Sequence, residues 1–394
     1  MNEKSFEGRT VARAGIVGVA GLALTLVGGL FDPARALQGY HVAFVYWAGI
    51  AMGALIMNMA FLAGNARWYV VMRRLLETIS LSGVLFVVLF IPIALGMGHL
   101  FSWVHPERLE GELRHLAEHR SPYLNVPFFL LRSALYFALW SVVAHLLHGW
   151  SVRQDEEGGV ALTLRQRRLG AGALPFVAIA MTFAAFDWQM SVDLHLASTI
   201  FGLYWFAGSF LSAFAVLILA LNASRAVGGS PGALVNANHY HSLGKYLLTF
   251  TAFWAYIAFS QLLLIWIANL PEEVPWYLAR GQGGWLTAAV FLIVFHFVVP
   301  FFILLSRPLK RSPRALGVLA MWVLVVHYVD VYWVMMPALQ HDPQGGLLPH
   351  WTDVTAVVGV GGVFASFVAW RLRGRAPVPL KDPYLDESLR YDPS

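Results

Sequence analysis

The sequence predicts an all-α integral membrane protein with ten transmembrane helices, and three observations predict it. Of 394 residues, 58% are hydrophobic and 12% charged, whereas a soluble surface needs roughly a quarter of its residues charged. The mean hydropathy is +0.62. Ten separate apolar runs come near the ~20 residues that a helix needs to cross a ~30 Å hydrocarbon core. The expected spans are 14–31, 40–63, 75–97, 126–148, 169–187, 197–221, 245–270, 285–305, 315–338 and 352–370. The first run is followed by a polar turn and nine more runs, so it reads as a span and not as a cleaved signal peptide.

Ten spans alternate their connections between two sides, and the Lys/Arg count decides which side is which. One side takes Lys4, Arg9 and Arg13, then Arg67, Arg73 and Arg74, then Arg153, Arg165, Arg167 and Arg168. It also takes Arg225 and Lys245, the group Arg307, Lys310, Arg311 and Arg314, and the tail residues Arg371, Arg373, Arg375, Lys381 and Arg390. The other side keeps only Arg35, Arg108, Arg114, Arg120, Arg132 and Arg280 of the 27 basic residues. Both termini are therefore expected to be cytoplasmic, in a bacterial inner membrane. The net charge of +5 follows from this topology and does not point to nucleic acid; the expected surroundings are a lipid bilayer. The absence of cysteine excludes disulfides, cysteine-ligated Fe–S clusters, thioether-linked haem and a thiol nucleophile in this chain.

A charged or strongly polar side chain at bilayer depth costs several kcal/mol, so each one asks for a reason. In the third span Glu77 lies at the basic interface, within reach of Arg73 or Arg74, and His99 follows the opposite end. The fourth carries Arg132 near its less basic end, Tyr136 one turn further and Trp140 another, then His145 and His148 toward the basic end. Arg132 is placed to snorkel to headgroups or to line a pocket. Asp187 ends the fifth span. Lys245 opens the seventh as an interfacial anchor, preceded by an expected short loop bearing His239 and His241, a weak metal motif without a third ligand. His296 sits mid-way along the eighth, with Pro300 able to free a carbonyl nearby.

The ninth span gives the sharpest pattern, HYVDVYW, in which His327 and Asp330 at i, i+3 share one face. A membrane-embedded histidine and carboxylate are what a proton relay or a quinol hydroxyl would need; the alternative is a buried pair that satisfies itself or a neighbouring helix. No span holds two histidines at the 13–14 residue spacing of a b-type cytochrome. His327 and His341 have that spacing, but the second lies outside the span, which leaves His296 with His327 as the one conceivable axial pair. The long connection 98–126, the segment 270–285 and the ninth connection HDPQGGLLPHW form loops large enough to dock a partner. The tail VPLKDPYLDESLRYDPS reads as an extended strap.

Three strings, NVPFFLLRSALYFALW, AFDWQMSVDLHLASTIFGLYWFAG and TAFWAYIAFSQLLLIWIANLPEEVPWYLAR, together resemble the membrane subunits of bacterial alternative complex III, a quinol:cytochrome c (or equivalent acceptor) oxidoreductase. Its two large integral subunits are paralogous anchors of the polysulfide-reductase type. One is the better candidate for quinol oxidation, and the other is its structural and proton-conducting companion; this chain looks most like the companion. The resemblance covers about residues 15–370. It implies a cytoplasmic N-terminus at 1–13, a flanking helix at 14–39, a four-helix bundle at 40–196, a second at 197–350, a flanking helix at 351–370 and a cytoplasmic tail at 371–394. It also implies a paralogous ten-helix membrane partner alongside, with c-type haem and Fe–S clusters held by periplasmic-side partners and no redox centre in this chain. The expected proton path comprises Asp330, His327, His296 and His148. A quinol pocket would use Arg132, Tyr136, His99 and Asp187. Two other roles stay open: a purely structural anchor and, from another class, a secondary transporter, whose interrupted helices around a midplane site are not the pattern of Gly and Pro here.

Overall fold

The computed structural model describes residues 3–271, 273–340 and 349–392, with side chains from residue 11 onward. Residues 341–348 of the ninth connection, with His341, and Glu272 lie outside the described residues. The described residues form helices and turns, without a strand. Ten helices are long and apolar enough to cross a membrane. They are α1 (Val11–Phe31), α2 (Pro33–Ala63), α3 (Val70–Leu95), α4 (Val126–Glu157), α5 (Val160–Val192), α6 (Phe201–Ala226), α7 (Ala237–Ala268), α8 (Gly283–Leu305), α9 (Pro313–Gln340) and α10 (Trp351–Leu372).

Each coincides with an expected span, and most run longer. Hydropathy ends where the hydrocarbon would end, but backbone hydrogen bonding continues until a cap or turn stops it. α4 continues through its polar last turns because Gln154 bonds Thr163 and Gln166 of α5 there. α7 begins eight residues before its expected start, since Asn236 accepts from the backbone N–H of Asn238 and His239 and so caps the helix. His239 and His241 therefore stand on the first turns of a helix, not in the loop expected for them. Asn125, with Pro127 in the first turn, starts α4 in the same way. Besides Pro300, prolines lie inside α5 at Pro175 and inside α9 at Pro337, and both helices run on through them.

The chain's two most enclosed helices are α2 and α6, and they pack on each other. Around α2 lie α3, α5, α9 and α10; around α6 lie α5, α7 and α9. Further contacts join α3 to α4, α4 to α5, α7 to α8, and α8 to α9. α1 and α10 pack closely along their length. A Cβ on Gly21 would stand 2.7 Å from the backbone of Gly359, and one on Gly18 would stand 2.4 Å from Val363 N. Only glycine allows that approach, the usual device for tight helix packing in lipid.

The tail does form a strap, and it docks on its own chain across the arginine-rich end of the helices. Leu380 N–H donates to Asp155 Oδ1 at 2.9 Å, and Arg73 donates to Asp382 at 2.7 Å. Ser388 Oγ donates to Trp68 O at 2.7 Å and accepts from Val71 N–H at 3.0 Å. Tyr391 closes the strap: its carbonyl accepts from Asn236 at 3.1 Å, and its ring lies 5.2 Å from that of His239.

Candidate functional site

α9 turns His327 and Asp330 toward α6, α7 and α8, where both are buried. Asp330 Oδ1 accepts a short hydrogen bond from the Tyr204 hydroxyl of α6. Its Oδ2 accepts from Trp254 Nε1 of α7 at 3.0 Å and lies 3.4 Å from His327 Nδ1, which has no hydrogen-bond partner. A carboxylate that keeps two donors and an adjacent histidine is held in place while retaining lone-pair capacity.

His327 fits because Gly208 faces it: a Cβ there would stand 2.1 Å from His327 Cε1. On the far side His296 completes the group, its ring 5.6 Å from that of His327 and 3.9 Å from that of Trp254. Both nitrogens of His296 are buried without a hydrogen-bond partner. His296 also lies within a π-helical stretch, Ile293–Val298, and such i→i+5 turns inside α-helices concentrate at functional sites. Trp254 packs on His296 and donates to Asp330, so it ties the two into one cluster.

His148, the fourth expected proton carrier, belongs to a different cluster. It sits at the arginine-rich end of α4, 3.6 Å from Glu77 Oε2 and 3.5 Å from Arg375 Nη1. Glu77 is fully buried between Arg73 Nε at 3.2 Å and Arg74 Nε at 3.5 Å, so the pairing expected from sequence holds with both arginines. Arg74 reaches on to Asp155 at 2.9 Å. His145 is exposed and bonds only back to Ser141 O at 2.8 Å.

At the opposite end, three of the four residues expected for a quinol pocket come together. Arg132 grips Asp187 with two donors, Nε at 2.9 Å and Nη2 at 2.7 Å, and Tyr136 adds its hydroxyl to Oδ2 at 2.8 Å. Arg132 Nη1 donates to Tyr123 O at 2.9 Å, and the guanidinium lies 3.8 Å from that ring. It does not snorkel. His99 stands apart from the trio, exposed on the turn Met97–Leu100. The group is a closed, self-satisfied ion pair, and a cavity of about 740 Å³ lies elsewhere, beside Tyr46 and Tyr328.

Several polar groups have no counterpart in the sequence expectations. Arg35 pairs through both terminal nitrogens with Asp353, 318 residues away, and Tyr332 adds its hydroxyl at 3.1 Å. His41, on α2, is fully buried with neither nitrogen bonded. Arg280 is buried too and donates to the carbonyls of Trp276, Trp333 and Val334 at 2.8, 3.2 and 2.6 Å. Tyr204 and Trp254, which hold Asp330, have no local signal, since their partner is 126 and 76 residues away. Among the described residues no three His, Asp or Glu side chains gather as a metal site.

Fold and site define an all-helical, multi-pass membrane protein with an acid–histidine–aromatic cluster sealed among its helices. A scan against known protein families finds no match for this chain, and a search of curated proteins finds no significant relative.

Proposed function

We propose that this chain is an integral membrane subunit of a quinol:acceptor oxidoreductase of the alternative complex III kind, serving as scaffold and as part of a proton path. The observation that carries the reading is Asp330, a fully buried carboxylate held by Tyr204 and Trp254 beside His327 and His296. An intramembrane carboxylate is a functional site by default because of what its burial costs. Asp330 and the two histidines form the path in this reading; His148 and Glu77 form a separate group at the basic end, where protons would meet water. The resemblance of the three long sequence strings supplies the partners: a paralogous ten-helix membrane protein, and peripheral subunits with c-type haem and Fe–S clusters. Both termini are cytoplasmic by the distribution of lysine and arginine. This reading groups the helices as two four-helix bundles, α2–α5 and α6–α9, with α1 and α10 flanking them. The self-satisfied Arg132–Asp187–Tyr136 group acts as a structural clamp and leaves quinol oxidation to the paralogous partner.

A mild-detergent pull-down through this chain, followed by subunit masses and an optical spectrum, tests the assignment. Co-elution of a multihaem c-type cytochrome, an Fe–S protein and a second ten-helix chain is expected. A colourless single chain across several detergents would overturn it in favour of a transporter. In the assembled complex, Asp330→Asn should lower quinol-coupled proton release by about a hundredfold, the scale of a positioned acid–base group. Unchanged turnover and proton release would remove Asp330 from the path.

A further inference from the structure

A cavity of about 740 Å³ opens between α9 and α10 and is floored by α2, α3 and α6. We propose that it holds one anionic phospholipid, with an acyl chain in the cleft and the phosphate at its arginine-rich end. The site is independent of the reaction the protein serves.

The shape fits a chain. On α10 the lining runs from Val357 to Leu372, fifteen residues, which at about 1.5 Å per residue is roughly 22 Å. The rim opens sideways where hydrocarbon would be: Met321, Val325 and Val358 are 52%, 57% and 44% exposed. The middle of the lining offers a polar ring no free donor. Its two phenols are already committed, since Tyr46 donates to Leu324 O at 2.9 Å and Tyr328 to Asp353 O at 3.3 Å. A quinone carbonyl entering the cleft would find neither hydroxyl free, whereas a methylene chain needs no donor.

The polar end supplies the charge preference. The cleft ends at Ser224, Ser230, Leu372 and Pro377. Arg225 follows Ser224, and Arg371 precedes Leu372. Arg314 lies seven residues before Met321, within about 20° on the same face of α9 at 100° per residue. None of these three arginines forms an ion pair among the described residues, and Arg371 Nε is buried without a hydrogen-bond partner. Arg225 donates to Val235 O at 3.1 Å, which leaves Arg314 and Arg371, next to the lining in sequence or on its helix face, as the charges that favour a net negative headgroup over a zwitterionic one.

The test uses the full chain in nanodiscs of phosphatidylcholine with one-fifth phosphatidylglycerol, transferred to detergent for native mass spectrometry and lipid extraction. One retained phosphatidylglycerol per chain is expected. Ala365→Trp, which fills the slot, should lower that occupancy at least tenfold. Arg314→Gln with Arg371→Gln should keep a lipid but lose most of the preference for phosphatidylglycerol, about fivefold for each arginine removed. Unchanged melting temperatures of both variants would show that each still folds, and the two variants fail independently. Equal retention of phosphatidylglycerol by the wild type and both variants would overturn the proposal. So would recovery of a quinone in place of the phospholipid, or no retained lipid at all.

Discussion

Asp187 and Asp330 are both fully buried carboxylates on membrane-spanning helices, and their partners separate their roles. Asp187 faces a full positive charge through two guanidinium donors and a phenol, so its oxygens are occupied and its charge is matched. Asp330 faces a phenol, an indole and a histidine that donates it no hydrogen bond, so it is held without a permanent countercharge. Breaking the first pair should therefore be a stability event. Asp187→Asn leaves Arg132 buried and uncompensated, and unfolding in detergent should show a loss of about 3–5 kcal/mol. The double variant Arg132→Met with Asp187→Leu should recover much of that. A double variant as unstable as the single one would show that the pair's hydrogen-bond geometry, and not its unmatched charge, is what matters. The i, i+3 pair on α9 was legible in sequence because a single helix face carries it. Arg132 and Asp187 were each visible, but their bond spans 55 residues and no periodicity reports it.

Outside the membrane-spanning helices, His195 and Asp193 make a local pair with the opposite kind of consequence. The hydrogen bond to Asp193 raises the His195 ring above its ordinary value, against the effect of burial. Burial pushes Asp193 up, but the His195 hydrogen bond and the nearby Arg280 charge pull it below the ordinary range overall. A raised histidine contributes stability that is complete below its unfolded pKa and is lost as pH rises through its folded one. The lowered aspartate contributes stability above its unfolded pKa that is lost as pH falls through its folded one. The pair should thus stabilise the loop most in the interval between those two limits. An NMR titration of the His195 ring should give a pKa above 6.5, falling toward that value in Asp193→Asn. No change on substitution would disconnect the two residues.

At the level of elements, hydropathy locates helices well and their ends poorly. The reason is visible at α4, α5 and α7, whose ends are set by Gln154, Asn236 and other polar contacts that carry no apolar signal. The π-helical turn around His296 was equally hidden; Pro300 pointed to a freed carbonyl, but an i→i+5 turn has no residue signature of its own. The crossing of α1 and α10 can be tested directly because the chain has no cysteine. A Cβ on Gly15 would stand 3.8 Å from Ser366 Cβ, the mean Cβ separation of a disulfide, about 3.8 Å. Gly15→Cys with Ser366→Cys should cross-link on mild oxidation. Adding Gly21→Leu, which forces the backbones apart, should abolish the cross-link and lower stability by about 1–3 kcal/mol. Efficient cross-linking in that triple variant would show that the helices cross at another register.

Over the whole molecule, the strap joins the arginine-rich ends of α3, α4 and α7, and its contacts differ greatly in burial. Arg73 and Asp382 are almost fully buried, with side chains 1% and 0% exposed, while Arg67 and Glu387 are 42% and 56% exposed. The physical rule is that exposed pairs contribute about 0–1 kcal/mol, whereas removing one partner of a buried pair strands the other charge. Arg73 would keep Glu77 at 3.2 Å, but it shares that carboxylate with Arg74 and His148, so its charge would be only partly matched. Asp382→Asn should therefore destabilise the protein by about 3 kcal/mol, and Glu387→Gln by less than about 0.5 kcal/mol, in unfolding measured on purified protein. Deleting residues 379–394 should cost at least as much as Asp382→Asn, since it also removes Ser388 from the backbone of Trp68 and Val71. Equal, small effects from all three changes would mean that the strap rests on the helices without holding them. A large effect from Asp382 alone would place the lock at one buried charge, and the rest of the tail would serve to carry that carboxylate to Arg73.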